Sequence, residues 1–187
     1  MAAINDISIY RFEKGERFFY DTNVWAAING LAAFTPDGAP YSAAHKRILT
    51  VGASIYTDQT VLQEFANLQE REAVAVVRKT RLGQTNKLSP KEVKAFRISN
   101  PMEWDEVTEI VTDALRQIIR QSKLLSSSAK LLGGALTFYR NGQSGFNDAV
   151  IAQLCLTHSC TLLTHDAEFA AFDVKIITAH PPLLILI

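Results

Sequence analysis

Hydrophobic and polar positions change their spacing along the chain in a way that predicts strands and helices in turn. Short apolar stretches without polar alternation are typical of buried strands; they lie at residues 17–21, 52–58, 160–164 and 174–178. Apolar residues at every third or fourth position predict helices, at residues 22–31, 41–50, 59–79, 102–121, 126–140 and 146–158. We therefore predict an α/β fold, a three-layer α/β/α sandwich with a central, mostly parallel sheet.

Helix-breaking residues separate these elements. Thr22 or Asn23 is expected to cap the first helix, whose last apolar position is Leu31. Prolines and glycines predict a loop near residues 36–40 and a second loop, with room for one short helix, at residues 80–101.

The chain is long enough for one domain with its own core. We expect an N-terminal extension over residues 1–16, a single domain over residues 17–180 and an apolar tail over residues 181–187.

Charge and cysteine content exclude several classes of protein. Nineteen basic residues balance nineteen acidic ones, so net charge does not draw the protein to nucleic acid or a membrane. The chain has neither an apolar run of roughly 20 residues nor a signal-peptide pattern, and we expect a cytoplasmic protein. Cys155 and Cys160 lack zinc-site spacing and are interpreted as buried apolar residues.

Four acids occupy positions where an acid is unusual. Asp21 ends the first strand and Asp166 follows the strand at residues 160–164. Both are expected at the carboxyl ends of parallel strands, where open α/β sheets bind ligands. Glu64 and Asp148 lie on or beside the apolar stripes of their helices.

These four residues, the acidic quartet, would repel one another if they were packed together without a counter-charge. A divalent cation with oxygen ligands, Mg²⁺ or Mn²⁺, resolves that repulsion and can activate water beside a phosphoryl group. Any one of the acids alone could instead be a helix cap, an exposed acid or half of a salt bridge.

Three blocks in order resemble the PIN domain, the nuclease fold of the VapC-type toxins of bacterial toxin–antitoxin pairs. The blocks are FFYDTNVW at the first strand, VLQEFANL in a middle helix and NDAVIAQLCLTHSCTLLTHDAEF near the C-terminus, with VKIIT as the closing strand. They extend over residues 17–178, and together they are far more specific than the DTN triplet alone.

The resemblance implies that the acidic quartet binds the metal and is catalytic, and that Asn23 and Thr164 support it. A helix cap and a strand-end hydroxyl are the simpler interpretations of these two residues. It further implies metal-dependent endonucleolytic hydrolysis of RNA, an antitoxin protein whose segment fills the acidic groove, and a homodimer. The stretches near residues 35–50 and 80–101 are enlarged relative to a minimal toxin of this family.

Other interpretations of the acids remain open. A non-catalytic module could use them to hold a structural ion while it binds RNA, and a phosphatase or a nuclease acting on DNA could use them for the same chemistry.

Residues 78–97 contain seven basic residues and one acid, so Lys91, Lys94 and Arg97 are candidates for contacts with a phosphate backbone. A solvated loop is the alternative. His165 is interpreted as an exposed neighbour of Asp166, since adjacent residues of an extended segment point to opposite sides.

Overall fold

The computed structural model describes residues 2–31, 38–84, 88–142 and 144–186. Within these residues, six strands form one parallel sheet in the order β1-β6-β5-β2-β3-β4. The strands are β1 (Ala3–Asp6), β2 (Arg17–Tyr20), β3 (Ser54–Asp58), β4 (Lys123–Leu125), β5 (Thr161–Leu163) and β6 (Lys175–Thr178). The helices are α1 (Thr22–Asn29), α2 (Ala39–Val51), α3 (Gln59–Leu82), α4 (Pro90–Ser99), α5 (Pro101–Gln121), α6 (Ala129–Arg140), α7 (Phe146–His158) and α8 (Pro181–Leu184). The predicted α/β sandwich is confirmed.

The central strand β2 explains the run of aromatic residues in the first block. Phe18, Phe19 and Tyr20 point alternately to the two faces of the sheet, and all three side chains are fully buried. A parallel strand covered on both faces has no polar alternation. The strand is held on one side by β5 and on the other by β3.

A second, smaller core stabilises the part of the chain that was expected to be a loop. The C-terminal half of α3 packs on α4 and α5 through a cluster of buried apolar residues: Ala73, Val74, Val77, Val93, Phe96, Val107 and Val111. Helix α4 begins with a capping box in which Ser89 and Glu92 bond each other's backbone. The predicted short helix at residues 80–101 is therefore a packed element.

Several local predictions were wrong. Asp21, rather than Thr22 or Asn23, caps α1. Strand β2 ends at Tyr20, one residue earlier than predicted, so the cap of the helix lies one residue earlier as well. Helix α1 ends at Asn29, and Leu31 is 42% exposed. Pro40 lies in the first turn of α2, where proline is tolerated, while the predicted loop residue Pro36 lies outside the described residues.

The segments at the two ends of the chain both join the fold. Residues 3–6 of the predicted extension form β1, which pairs with β6 at the edge of the sheet. In the apolar tail, Leu183 of α8 is buried in the main core. Neither strand β1 nor strand β4 was predicted, because each is three or four residues long and lies at an edge. Across the described residues, no helix has the length and apolar character needed to span a membrane.

Candidate active site

The sheet order brings the ends of β2 and β5 side by side. The strands that follow β2 in space, β3 and β4, lie on one side of it, and β5, β6 and β1 lie on the other. Such a reversal of strand order opens a crevice at the carboxyl ends of the strands. Asp21 directly follows β2, and Asp166 lies three residues beyond the end of β5.

Asp21 is a buried carboxylate with three hydrogen-bond donors. Only 6% of the residue is exposed. Its Oδ1 accepts from the backbone N–H of Thr22 at 2.6 Å, which is the cap of α1. Its Oδ2 accepts from Asn23 Nδ2 and from Thr164 Oγ1, each at 2.7 Å. These bonds compensate part of the cost of burying the charge.

Asn23 and Thr164 tie the ends of the two strands together. Thr164 Oγ1 accepts from the backbone N–H of Asp166 at 3.0 Å while it donates to Asp21. Asn23 Oδ1 accepts from the backbone N–H of His165 at 2.8 Å. The two side chains thus fix the position of Asp21 relative to the loop that carries Asp166.

Glu64 reaches the site from the second turn of α3. Its Oε2 accepts from Thr22 Oγ1 at 2.8 Å, and its Oε1 accepts from Asn147 Nδ2 at 2.5 Å. Thr22 follows Asp21 in the chain, and Asn147 precedes Asp148. Glu64 therefore joins the start of α1 to the start of α7.

Asp148 lies in the first turn of α7, where a carboxylate also interacts favourably with the helix dipole. Its Oδ2 accepts from the backbone N–H of Gly145 at 3.1 Å. Gly145 leaves space for this contact, because a Cβ at that position would lie 2.9 Å from Asp148 Oδ2.

Two of the four acids have raised pKa values, to which the charges of the other acids contribute. The pKa of Asp21 is raised to about 7, mainly by burial and also by the charges of Asp148 and Asp166, against hydrogen bonds from Thr164 and Thr22, which lower it.

The pKa of Asp148 is likewise raised to about 6, mainly by burial and also by the charges of Asp166, Glu168 and Glu64, against the hydrogen bond from Gly145, which lowers it. Within the described residues, no lysine or arginine is among the groups that shift these two pKa values.

The donor chemistry of the quartet fits a hard divalent cation, since all four ligands would be carboxylate oxygens. In the described part of the chain, no three His, Cys, Asp or Glu side chains stand close enough to form a metal site as they are placed. The site nevertheless has the ligand type and the unbalanced negative charge that such an ion requires.

The prediction that His165 is exposed was wrong. The residue is partly buried, and its ring lies with Nδ1 3.0 Å from Tyr41 Oη and Nε2 3.1 Å from His180 Nδ1. Tyr41 is fully buried, and its hydroxyl also contacts the backbone oxygen of Thr164 at 3.0 Å. The partners of the ring come from distant parts of the chain, Tyr41 from α2 and His180 from beyond β6.

Lys91, Lys94 and Arg97 share one exposed face of α4. Arg97 lies over the ring of Trp104, 5.4 Å from its centroid. Helix α4 packs near Val77, thirteen residues along α3 from Glu64, which corresponds to about 20 Å of helix. The structure does not bring these basic residues into contact with the quartet.

Sequence reasoning missed four residues that act on the quartet. Thr22 and Asn147 bond Glu64, Gly145 bonds Asp148, and the charge of Glu168 raises the pKa of Asp148. Each lies within three residues of a quartet member in the chain. That proximity is a usable signal, because a helix N-terminus supplies polar groups from consecutive residues.

Comparisons with known proteins identify the family of the fold. The model of the PIN domain matches residues 18–175. A comparison with curated proteins gives no match.

Two solved structures have a similar fold. The crystal structure of VapBC2 from Rickettsia felis bound to a DNA fragment from their promoter is 16% identical, with a TM-score of 0.51, and the match covers 86% of this chain and 96% of that chain. The crystal structure of PAE2754 from Pyrobaculum aerophilum is 18% identical, with a TM-score of 0.50, and the match covers 92% and 97%. The match to the family model spans most of the sequence and includes all four acids, and the chain therefore belongs to the PIN domain family.

Proposed function

We propose that the protein is a divalent-metal-dependent endoribonuclease that hydrolyses RNA phosphodiester bonds at the acidic quartet. The observation that carries the proposal is that Asp21 and Asp166 follow neighbouring strands at the strand-order reversal, while Glu64 accepts hydrogen bonds from Thr22 and Asn147, the chain neighbours of Asp21 and Asp148. Membership of the PIN domain family supports a nuclease. No lysine or arginine among the described residues shifts the pKa values of Asp21 and Asp148, which supports a bound cation as the counter-charge of the acids.

The residues of the chain have separate roles in this proposal. The quartet binds Mg²⁺ or Mn²⁺, which when bound would supply positive charge beside the phosphodiester and lower the pKa of water. Thr164 and Asn23 hold Asp21 and the Asp166 loop in register. Asn147 and Thr22 fix the orientation of Glu64.

The experiment compares substrates and metal requirements. We expect purified protein to cleave single-stranded or structured RNA when Mn²⁺ or Mg²⁺ is added and to stop when EDTA is added. DNA and an aryl phosphate are the controls that separate a ribonuclease from a DNA nuclease and a phosphatase. Absence of cleavage with RNA that is nevertheless bound would favour the non-catalytic module instead.

We also propose a protein partner. The similar structure from Rickettsia felis is that of VapBC2 bound to DNA. For this protein we propose an antitoxin partner, one segment of which fills the acidic groove, and a homodimer; both follow from the resemblance to VapC-type toxins. A short reading frame for a DNA-binding protein that overlaps the start of the gene would support the toxin–antitoxin pair. A gene without such a neighbour would favour a free-standing RNA-processing nuclease.

A further inference from the structure

A cavity of about 320 Å³ opens beside Glu64, at the carboxyl ends of β3 and β4. Its walls are formed by the first turns of α3 and α7, by residues that follow β4 and by Leu132 of α6. The volume is within the range of roughly 300 to 1,000 Å³ found for small-molecule sites. The cavity lies on the same edge of the sheet as the quartet, because β3 is the neighbour of β2.

Asn147 connects the cavity to the acids. The residue lines the cavity, and its Nδ2 donates to Glu64 Oε1. Gln63, another lining residue, precedes Glu64 in α3. A polymer with one phosphate at the quartet would therefore place an adjoining group at this cavity.

The lining residues select an uncharged polar group. Among the described residues, the lining contains no lysine or arginine, and its one ionisable residue is Asp58, which is 2% exposed and caps α3 by accepting from the backbone N–H of Val61. A phosphate would find no counter-charge there. Amide and hydroxyl groups from Gln59, Gln63 and Ser126 supply both donors and acceptors.

Two of these amides are available to a ligand. In the part of the chain that the structure describes, the side chains of Gln59 and Gln63 make no hydrogen bond, and both residues are exposed. Phe146 adds an aromatic surface, since it lines the cavity and is 37% exposed. Hydrogen-bonding edges beside an aromatic ring are the combination that recognises unpaired bases in RNA.

We infer that this cavity is a nucleobase subsite, which binds an unstacked base of the RNA next to the phosphodiester held at the quartet. The inference rests on the proposed function for its substrate class. Phe146 stacks on the base, and Gln59 and Gln63 bond its edge.

The binding experiment is a metal-free NMR titration in EDTA, so that neither cleavage nor a metal-bridged phosphate contributes. The probes are AMP and UMP, with ribose 5-phosphate as a matched ligand without a base. We expect both nucleotides to shift the side-chain amide signals of Gln63 and the ring signals of Phe146, and ribose 5-phosphate to leave them unchanged. Equal shifts with ribose 5-phosphate, or no shift with either nucleotide, would overturn the subsite.

Three variants test the stacking role. Phe146→Ala should weaken nucleotide binding about tenfold, since loss of stacking on one base commonly has that order of effect. Phe146→Trp should retain binding. Met102→Ala, which truncates an exposed apolar residue on α5, should leave binding unchanged. Unaltered binding by Phe146→Ala would contradict the inference.

The outcomes distinguish the subsite from the nuclease. Cleavage of RNA together with silent nucleotide titrations refutes the subsite and leaves the nuclease standing. Nucleotide binding at Phe146 together with no cleavage in Mn²⁺ refutes the nuclease and retains a base-binding site. In an active protein, Phe146→Ala should raise the KM for RNA with little change in kcat; the reverse pattern would contradict a binding role.

Discussion

The hydroxyl of Thr164 donates to the buried carboxylate of Asp21 at 2.7 Å, across the junction between β5 and β2. The same oxygen accepts the backbone N–H of Asp166 at 3.0 Å. One small side chain therefore sets the separation of two acids that come from opposite ends of the sequence.

Replacement of this hydroxyl should be costly. Thr164→Val keeps the shape but removes the donor, so we expect a loss of about 1–3 kcal/mol in the free energy of unfolding. The bond lowers the pKa of Asp21, so the acidic limb of the pH–rate profile should move to higher pH. Thr164→Ser should restore both properties. A valine variant with wild-type stability and pH profile would show that the bond has no such role.

Metal-free protein should lose stability as pH rises. The folded pKa values, about 7 for Asp21 and about 6 for Asp148, lie above the ordinary 3.8. Between about pH 4 and pH 7 the folded state binds more protons than the unfolded chain. The stability that these two carboxyl groups contribute is therefore fully present below about pH 4 and is lost as the pH rises to about 7. Denaturation in EDTA across this range checks the sign, and Asp21→Asn should flatten the decline. A slope that this variant leaves unchanged would remove Asp21 as its cause.

Added cation should reverse that loss. Mn²⁺ binds ionised carboxylates, so it should raise the melting temperature more at pH 7.5 than at pH 5. EDTA should abolish the difference. Titrations with Ca²⁺ and Zn²⁺ under the same conditions compare the shifts in melting temperature that other cations produce. Equal shifts at both pH values would indicate binding away from the acids.

Gly145→Ala should impair activity without removing any acid. The backbone of Gly145 suits alanine, with φ of −64°, but the new Cβ would lie 2.9 Å from Asp148 Oδ2 and displace that carboxylate. We expect kcat to fall about tenfold or more, because a small misplacement of a reacting group has a large effect on rate. Gly133→Ala is the matched control, since a Cβ there meets nothing within 4 Å. Equal activities of the two variants would contradict the assigned role of Asp148.

The basic face of α4 should matter only for long RNA. Neutralising Lys91, Lys94 and Arg97 together should flatten the salt dependence of binding for an RNA that spans the roughly 20 Å from Glu64. An oligonucleotide too short to reach α4 should bind the variant and the parent alike. An unchanged slope with long RNA would exclude this face from substrate binding.

The fold was predictable from the sequence where apolar residues follow the regular spacing of a helix or form an uninterrupted apolar strand. Strand β2 has three fully buried aromatic residues, and the α7 boundaries, Phe146–His158, were predicted to the residue. Strands β1 and β4 were missed, because short edge strands gain their stability from a partner that is distant in sequence. The cap of α1 was assigned to Thr22 or Asn23 because the sequence alone does not show where the strand ends.

The candidate site was predictable as a set of acids but not as an arrangement. Asp21 stands out because it directly follows an apolar strand, and Asp166 because it lies a few residues beyond another. The network of Tyr41, His165 and His180 could not be predicted, since its members come from α2 and from the ends of two strands. Tertiary contacts of this kind have no local sequence signal.

The central claim is that the acidic quartet cleaves RNA with a bound cation, and one variant tests it most directly. The measurement is the rate of RNA cleavage in Mn²⁺ by Asp148→Asn, with Asp113→Asn, an exposed acid on α5, as the matched control. We predict that cleavage falls by at least about a hundredfold in Asp148→Asn, since a weakened metal site forfeits several kcal/mol of charge stabilisation, while the fold and the control are unaffected. Undiminished cleavage by a correctly folded Asp148→Asn would contradict the account.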